Sequence, residues 1–224
     1  MATLSKSQSV LMFMILFIAC TPKDNVESQT LQPPSSSVRK MPGGNCEDCN
    51  LMFVGMPKDL NNVDTSRGWD TEGQKLIVSG KVFHTDKKTP AKDVILYYYH
   101  TDEKGYYSEG EGMHPDAARH GHLRGWVKTG DDGTYVICTN RPAQYPDNGA
   151  EAHIHVIVKE PDMDNPYWID AWVFDDDPLL TASIRKKLDN HGGSGIMKPI
   201  SKNGIQLAEQ NVYLGLHIPN YPTR

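Results

Sequence analysis

The chain has 224 residues, of which 38% are hydrophobic and 23% charged, with 28 acidic against 23 basic side chains. This composition excludes wholesale disorder and a polytopic membrane protein, and a net charge of −5 gives no electrostatic footprint for nucleic acid. Nineteen glycines and 15 prolines spread along the chain indicate many turns and therefore a β-rich fold.

The N-terminus has the pattern of a secretion signal. An uninterrupted apolar run, residues 10–19, is too short for a membrane-spanning helix of about 20 residues but fits the hydrophobic region of a signal peptide. The run ends at Ala19-Cys20, which resembles the bacterial lipobox, whose cysteine is lipidated. An ordinary secretory signal is the alternative. We expect residues 1–19 to be a lipoprotein signal peptide, and the mature protein to be extracytoplasmic and anchored to a bacterial membrane through Cys20. Which membrane or surface holds the anchor stays open.

A polar, turn-prone segment follows the signal. Residues 20–42 can bury little apolar surface, which predicts a flexible linker ahead of a folded domain at residues 43–224. Cys46 and Cys49 then form a C-x-x-C pair, which in an oxidising compartment most simply makes a local structural disulfide. A redox role is the alternative, but the pair lacks a thioredoxin-like βαβ pattern around it.

The rest of the chain alternates strand-like runs with turns. Strands are predicted at residues 75–83, 94–100, 125–129, 135–138, 153–159 and 169–174, with residues 130–133 as the turn of a hairpin. One helix is predicted after them, with Asp177 as its N-cap and Leu180, Ile184 and Leu188 on its buried face. This spacing predicts an all-β fold, an antiparallel β-sandwich with one short helix. Most tyrosines in these strands, Tyr97, Tyr98, Tyr99 and Tyr135, are expected to be core or strand residues.

Two histidines in the predicted strand 153–159 can share a metal. Because strand side chains alternate, His153 and His155 project from one face, whereas Ile154, Val156 and Val158 project from the other. Two neutral imidazoles side by side make half of a transition-metal site, although buried structural histidines give the same pattern.

Four separated elements together resemble the intradiol ring-cleavage dioxygenases, of the protocatechuate and catechol dioxygenase type. In chain order they are Gly105-Tyr106-Tyr107, Thr129-Gly130-Asp131-Asp132-Gly133-Thr134-Tyr135, Pro142-Ala143-Gln144-Tyr145-Pro146 and Ala152-His153-Ile154-His155. The resemblance implies non-haem Fe(III) held by Tyr107, Tyr145, His153 and His155, with Tyr145 as the catalytic tyrosine that a catechol displaces. It also implies a small aromatic diol and O2 as substrates and a muconate-type diacid as product.

The chain departs from this family pattern at two positions. Ala150 stands where the family has an arginine, and Ala171 where a glutamine is expected. Both family residues help to shape the reaction site, so their absence leaves the substrate open. The polar segment 113–124, with its histidines and arginines, is either a lid that compensates or a solvated loop.

Two further functions stay open on the sequence. A non-catalytic β-sandwich binding module could retain a structural metal site. A zinc or copper site could use His153 and His155 with His120 or His122, although tyrosine is an infrequent ligand for either metal. The oligomeric state is not indicated.

Overall fold

A computed structural model describes residues 41–147 and 149–223. The predicted signal peptide, the lipidation site Cys20 and nearly all of the predicted linker lie outside this part of the chain. In the part described, no helix is long and apolar enough to cross a membrane.

The described chain is built from short strands. The strands are β1 (Val63–Thr65), β2 (Lys75–Phe83), β3 (Ile95–His100), β4 (Arg124–Lys128), β5 (Thr134–Asn140), β6 (His153–Lys159), β7 (Tyr167–Trp168), β8 (Trp172–Phe174), β9 (Ile196–Met197), β10 (Ile200–Lys202), β11 (Ile205–Glu209) and β12 (Val212–Tyr213). Two 3-10 helices, Cys49–Phe53 and Pro115–His120, and one α-helix, α1 (Ala182–Arg185), complete the described elements.

Two sheets pack face to face. The first has the order β1-β5-β2-β11-β10 with β12 also paired to β2, and the second has the order β4-β3-β6-β8-β9 with β7 also paired to β6. The central pairs β2–β5, β3–β4 and β3–β6 are antiparallel, whereas β1–β5, β2–β11, β2–β12 and β8–β9 are parallel. The predicted all-β sandwich is confirmed, with parallel pairs added around its antiparallel centre.

The core lies between the sheets and follows the two-residue alternation of the strands. Leu76 and Ile137 enter it from the first sheet, and Tyr98, Ile154 and Val156 enter it from the second. The other face of the second sheet carries a smaller cluster in which Tyr97 and Ile157 pack against the helix Cys49–Phe53. The sandwich therefore presents one sheet face that is partly covered by the N-terminal segment.

The predicted hairpin at residues 130–133 is wrong. β4 pairs with β3 in the second sheet, whereas β5 pairs with β1 and β2 in the first, so the turn carries the chain from one sheet to the other. Both strands bury apolar side chains in the same core, Val127 from one sheet and Ile137 from the other. Alternation in the sequence does not identify the pairing partner, so a corner between sheets has the same pattern as a hairpin.

The predicted helix is shorter and begins later than expected. α1 spans Ala182–Arg185, and its N-cap is Thr181, whose hydroxyl accepts from the Ile184 amide at 3.3 Å. No side chain of α1 is buried. Asp177 is not its N-cap because the Asp177 carboxylate is used in a buried contact described below.

A buried histidine couples stability to pH. The His100 side chain is fully buried, with Nδ1 donating to the Thr101 carbonyl at 2.8 Å and Nε2 2.8 Å from Thr139 Oγ1. Burial lowers the pKa of His100 to about 4. The unfolded chain, with a histidine pKa of about 6.5, therefore binds more protons than the folded chain between these two values.

We expect the free energy of unfolding to fall as the pH drops from 7 to 5, with a contribution of about 2 kcal/mol from His100. Urea unfolding at both pH values measures it. A His100→Gln variant places a side-chain amide near the Nε2 position and does not titrate. Its free energy of unfolding should therefore fall less between pH 7 and pH 5. An equal drop in the variant and the native chain would show that His100 is not the source.

Candidate metal centre

Four predicted side chains bring their donor atoms together. Tyr107 Oη lies 2.6 Å from Tyr145 Oη, which lies 3.0 Å from His153 Nε2 and 3.5 Å from His155 Nε2. The two Nε2 atoms are 3.1 Å apart. Metal–nitrogen bonds of about 2.0–2.1 Å at right angles place neighbouring donors about 3 Å apart, so this spacing fits ligands around a single cation.

The β6 strand prepares both imidazoles to bind through Nε2. His153 Nδ1 donates to the Glu151 carbonyl at 2.7 Å, which leaves the Nε2 lone pair free for a metal. Burial, and then the charge of neighbouring His153, lowers the pKa of His155 to about 3. His155 is therefore neutral at pH 7, the form that coordinates a cation.

A buried carboxylate organises the turn that carries Tyr107. Asp102 is 8% exposed, and it accepts from the Ser108 hydroxyl, from the Lys104 amide at 2.9 Å and from the Tyr106 amide at 3.0 Å. Burial opposes the charged form, but these hydrogen bonds hold the pKa of Asp102 below its ordinary value. The charged Asp102 thus fixes the backbone before Tyr107 and the Ser108 side chain after it.

The same turn decides which of two adjacent tyrosines faces the metal donors. Gly105 has φ of +86°, and a Cβ there would lie 2.1 Å from the Gln144 carbonyl oxygen, so no other residue fits. With this turn, Tyr107 points to Tyr145 whereas Tyr106 is 53% exposed. The structure thus brings Tyr107, and not Tyr106, to the site.

Asp177 joins the two segments that carry Tyr145 and the β6 histidines. Its carboxylate, in a residue 5% exposed, accepts from Gln144 Nε2 at 2.6 Å, from the Ala152 amide at 2.8 Å and from the Leu179 amide at 2.8 Å. Gln144 immediately precedes Tyr145, and Ala152 immediately precedes the β6 histidines. Asp177 therefore sets the position of the Tyr145 loop relative to β6.

An Asp177→Asn variant should lose about 2 kcal/mol of unfolding free energy, because the new amide group faces a buried N–H donor. Urea unfolding measures this loss. The matched control is Asp176→Asn at the neighbouring position, where a half-exposed carboxylate pairs with Arg141 at 2.7 Å and contributes less than about 1 kcal/mol. Equal losses in the two variants would contradict the bridging role of Asp177.

Aromatic stacking fixes His155 from the side. The Tyr99 ring stacks on the His155 ring with centroids 4.6 Å apart, and on the His120 ring with centroids 3.6 Å apart. Tyr99 was predicted to be only a core or strand residue, but its ring lies beside the donor atoms. The other three tyrosines, Tyr97, Tyr98 and Tyr135, are buried as predicted.

The alternative three-histidine site does not form. His120 Nδ1 lies 2.8 Å from Tyr97 Oη, and His122 Nδ1 lies 2.7 Å from the Ser108 carbonyl oxygen. Among the described residues, no group of three or more His, Cys, Asp or Glu side chains could hold a metal ion. The four-donor set depends on its two tyrosines.

The segment 113–124 is neither a free lid nor a uniformly solvated loop. Its centre forms the 3-10 helix Pro115–His120, with His120 buried, and its last residue, Arg124, begins β4 and is also buried. Arg119 is exposed and pairs with Asp48 at 2.9 Å. The segment packs beside the donor atoms and against the 3-10 helix Cys49–Phe53.

A cleft of about 340 Å³ opens beside His155. The walls of the cleft are apolar and aromatic and include Tyr99, Trp168, Ile169 and Leu188. Ala171 also lines the cleft, and its small side chain leaves room inside it. Cys46 forms part of the rim, and the structure joins it to Cys49 as a disulfide. A cleft of this size next to convergent polar groups is typical of a small-molecule site.

Sequence reasoning missed the positioning residues Asp102 and Asp177 and the stacking role of Tyr99. Tyr99 lies beside His155 because β3 pairs with β6 in this register, and alternation within β3 does not give that pairing. The partners of the two carboxylates are backbone and side-chain groups that residue types do not reveal.

Comparisons with known proteins agree with this geometry. A family model described as dioxygenase matches residues 52–191. The hydroxyquinol 1,2-dioxygenase of Rhizobium sp. (strain MTP-10005) is 26% identical over 147 residues, which cover 54% of this chain and 48% of the relative. The chain thus spans about half the length of this curated relative.

Solved structures share the fold. The dioxygenase domain of a dioxygenase carbohydrate-binding protein fusion from Streptomyces sp. SirexAA-E has a TM-score of 0.51 at 24% identity, covering 71% of this chain and 91% of that one. The wild-type catechol 1,2 dioxygenase of Acinetobacter radioresistens has a TM-score of 0.53 at 16% identity, covering 76% of this chain and 62% of that one. The family match, over more than half of the chain, shows that this protein belongs to the intradiol ring-cleavage dioxygenase family.

Proposed function

We propose that this protein is a non-haem Fe(III) intradiol dioxygenase that cleaves a catechol-like ring between its two hydroxylated carbons. Its products would be muconate-type diacids that carry both atoms of O2. The observation that carries the proposal is the convergence of two phenol oxygens and two imidazole nitrogens, with neighbouring donors 2.6–3.5 Å apart.

The donor set fits ferric iron. Phenolate oxygen is a hard anionic donor that suits Fe(III), whereas zinc and copper sites favour histidine, cysteine or carboxylate. Burial, and then the hydrogen bond to Tyr145, raises the pKa of Tyr107 far above its ordinary value, so this phenol would lose its proton only when its oxygen binds a strongly charged cation. Ferric iron held by these four residues would withdraw electron density from a chelated diol and activate the ring toward dioxygen.

Tyr145 is the residue best placed to exchange with the substrate. It lies in the irregular connection between β5 and β6, and its Oη lies within 3.5 Å of donor atoms on Tyr107, His153 and His155. A loop residue can move aside at lower cost than the strand-held histidines. Once displaced by the substrate, the Tyr145 phenolate oxygen would accept a proton from a substrate hydroxyl, which would be general base catalysis at Oη.

The cleft beside His155 is the proposed binding site for the aromatic ring. Trp168 and Leu188 provide flat and apolar surface for the ring, and Ala171 leaves space where a larger side chain would intrude. None of these three residues selects for a particular substituent on the aromatic ring. The proposal therefore names a catechol-like diol as the substrate class.

The N-terminal sequence pattern is the basis for a proposed cellular location. The apolar run before Cys20 supports secretion and lipid anchoring, so the enzyme would act outside the cytoplasm of a bacterium on diols present there. Metabolic labelling with a tagged fatty acid tests this, since labelling should be lost in a Cys20→Ala variant.

Product analysis under ¹⁸O2 tests the activity. The iron-loaded protein should convert catechol to a ring-opened diacid that carries two heavy oxygen atoms, with one O2 consumed per ring. A protein that binds catechol and iron but consumes no O2 would contradict the proposal and identify a binding module instead.

A further inference from the structure

A second cleft of about 340 Å³ lies on the same sheet face as the metal donors, two strands away. In the register of the second sheet, His155 of β6 pairs with Tyr99 of β3, and Tyr99 pairs with Arg124 of β4. Neighbouring strands are about 4.8 Å apart, so the Arg124 backbone is about 10 Å from that of His155. The lining of the second cleft includes Arg67, Met113, His114, His122, Arg124 and Trp126.

Arg124 is a buried cation for which the described residues provide no acidic partner. Its residue is 9% exposed, and its guanidinium donates to Tyr97 Oη at 3.1 Å and to the Val54 carbonyl. The guanidinium carbon also lies 5.0 Å from the centroid of the Trp126 ring. In the described part of the chain, no carboxylate forms an ion pair with Arg124. A buried charge is costly unless an opposite charge compensates it, so the cleft favours an anion.

A second guanidinium and two imidazoles also line the second cleft. Arg67, which is exposed, donates to the Glu111 carbonyl and likewise has no ion-pair partner among the described residues. His122 Nδ1 donates to the Ser108 carbonyl, which leaves Nε2 available. No aspartate or glutamate of residues 41–147 and 149–223 lines the cleft. Two guanidiniums without a described ion-pair partner therefore face one volume, together with two imidazoles, of which His114 has the Asp116 carboxylate 3.8 Å from its Nδ1.

The cleft also has an apolar component. Trp126, Met113 and Pro115 contribute hydrophobic surface beside the cations. A small inorganic anion would leave this surface unused, whereas an organic carboxylate would cover it with its hydrocarbon part and pair its carboxylate with the guanidiniums. We propose that this second cleft binds a small organic carboxylate.

Calorimetric titration of the metal-free full chain tests this site, independently of catalysis. Benzoate is the probe, and benzamide is its neutral isostere. We expect benzoate to bind at least tenfold more tightly than benzamide and than inorganic phosphate, because only benzoate has both the charge and the apolar ring. Absent binding at millimolar benzoate, or binding of benzamide or phosphate as tight as that of benzoate, would overturn the proposal.

Variants locate the binding. Arg67→Gln changes an exposed side chain, so the fold should be retained, and it should weaken benzoate binding at least tenfold. The control is Lys187→Gln, which removes the one lysine of the cleft beside His155 and should leave the affinity unchanged. Loss of binding in Lys187→Gln but not in Arg67→Gln would place benzoate in the other cleft and refute the site.

Discussion

A His155→Ala variant is expected to lose at least 100-fold in ferric iron affinity and to be purified almost free of iron. The reason is that His155 supplies one of four convergent donors, and even residues that merely orient a ligand contribute 10- to 100-fold in affinity. Metal analysis of the purified variant after loading with ferric iron measures the effect. A parallel loss is expected for His153→Ala.

The control for this prediction is His84→Ala, which removes an exposed histidine far along the sequence from the donors. It should keep the iron content of the native chain. Circular dichroism and thermal unfolding check that His155→Ala still folds, since its side chain is largely buried. A folded His155→Ala protein with a full complement of iron would refute the assignment of His155 as a ligand.

A Tyr145→Phe variant is expected to lose between about 10² and 10⁴ in turnover, the usual range for removal of a general acid or base. The phenylalanine ring keeps the packing of the tyrosine but lacks the Oη that lies beside the other three donors. Three donors remain, so part of the iron should be retained. The colour change on adding catechol should differ from that of the native chain, because the part that comes from release of Tyr145 would be missing.

Tyr106→Phe is the matched control for Tyr145→Phe. Tyr106 is 53% exposed and its phenol is not one of the four convergent donors, so turnover should be unchanged. An unaltered spectral response in Tyr145→Phe would show that this tyrosine does not leave when the diol binds. It would then have a structural role and the proposed base would have to be sought elsewhere.

The local pattern of the strands was predictable because it depends on alternation. The β2 and β6 strands occupy the residues that their alternation predicts, and β6 places His153 and His155 on one face. The partner of each strand was not predictable, because it depends on contacts between residues that are distant in sequence. This is why residues 130–133 have the sequence pattern of a hairpin turn but form a corner between the two sheets.

The four convergent donor residues were predictable from the order of short motifs, but the residues that position them were not. Asp177 illustrates the difference: an aspartate followed by proline is typical of a helix start, whereas its carboxylate reaches Gln144 and Ala152 across 33 and 25 residues. Tertiary hydrogen bonds overrode the local preference. Such partners are fixed only when both segments are folded.

The most direct test of the proposed iron centre is a visible absorption spectrum of the purified protein, with iron content determined on the same sample. Tyrosinate bound to Fe(III) gives a ligand-to-metal charge-transfer band. The protein should therefore be reddish and contain one iron per chain, and the band should shift when catechol is added. A colourless protein that takes up no ferric iron would contradict the assignment of Tyr107, Tyr145, His153 and His155 as its ligands.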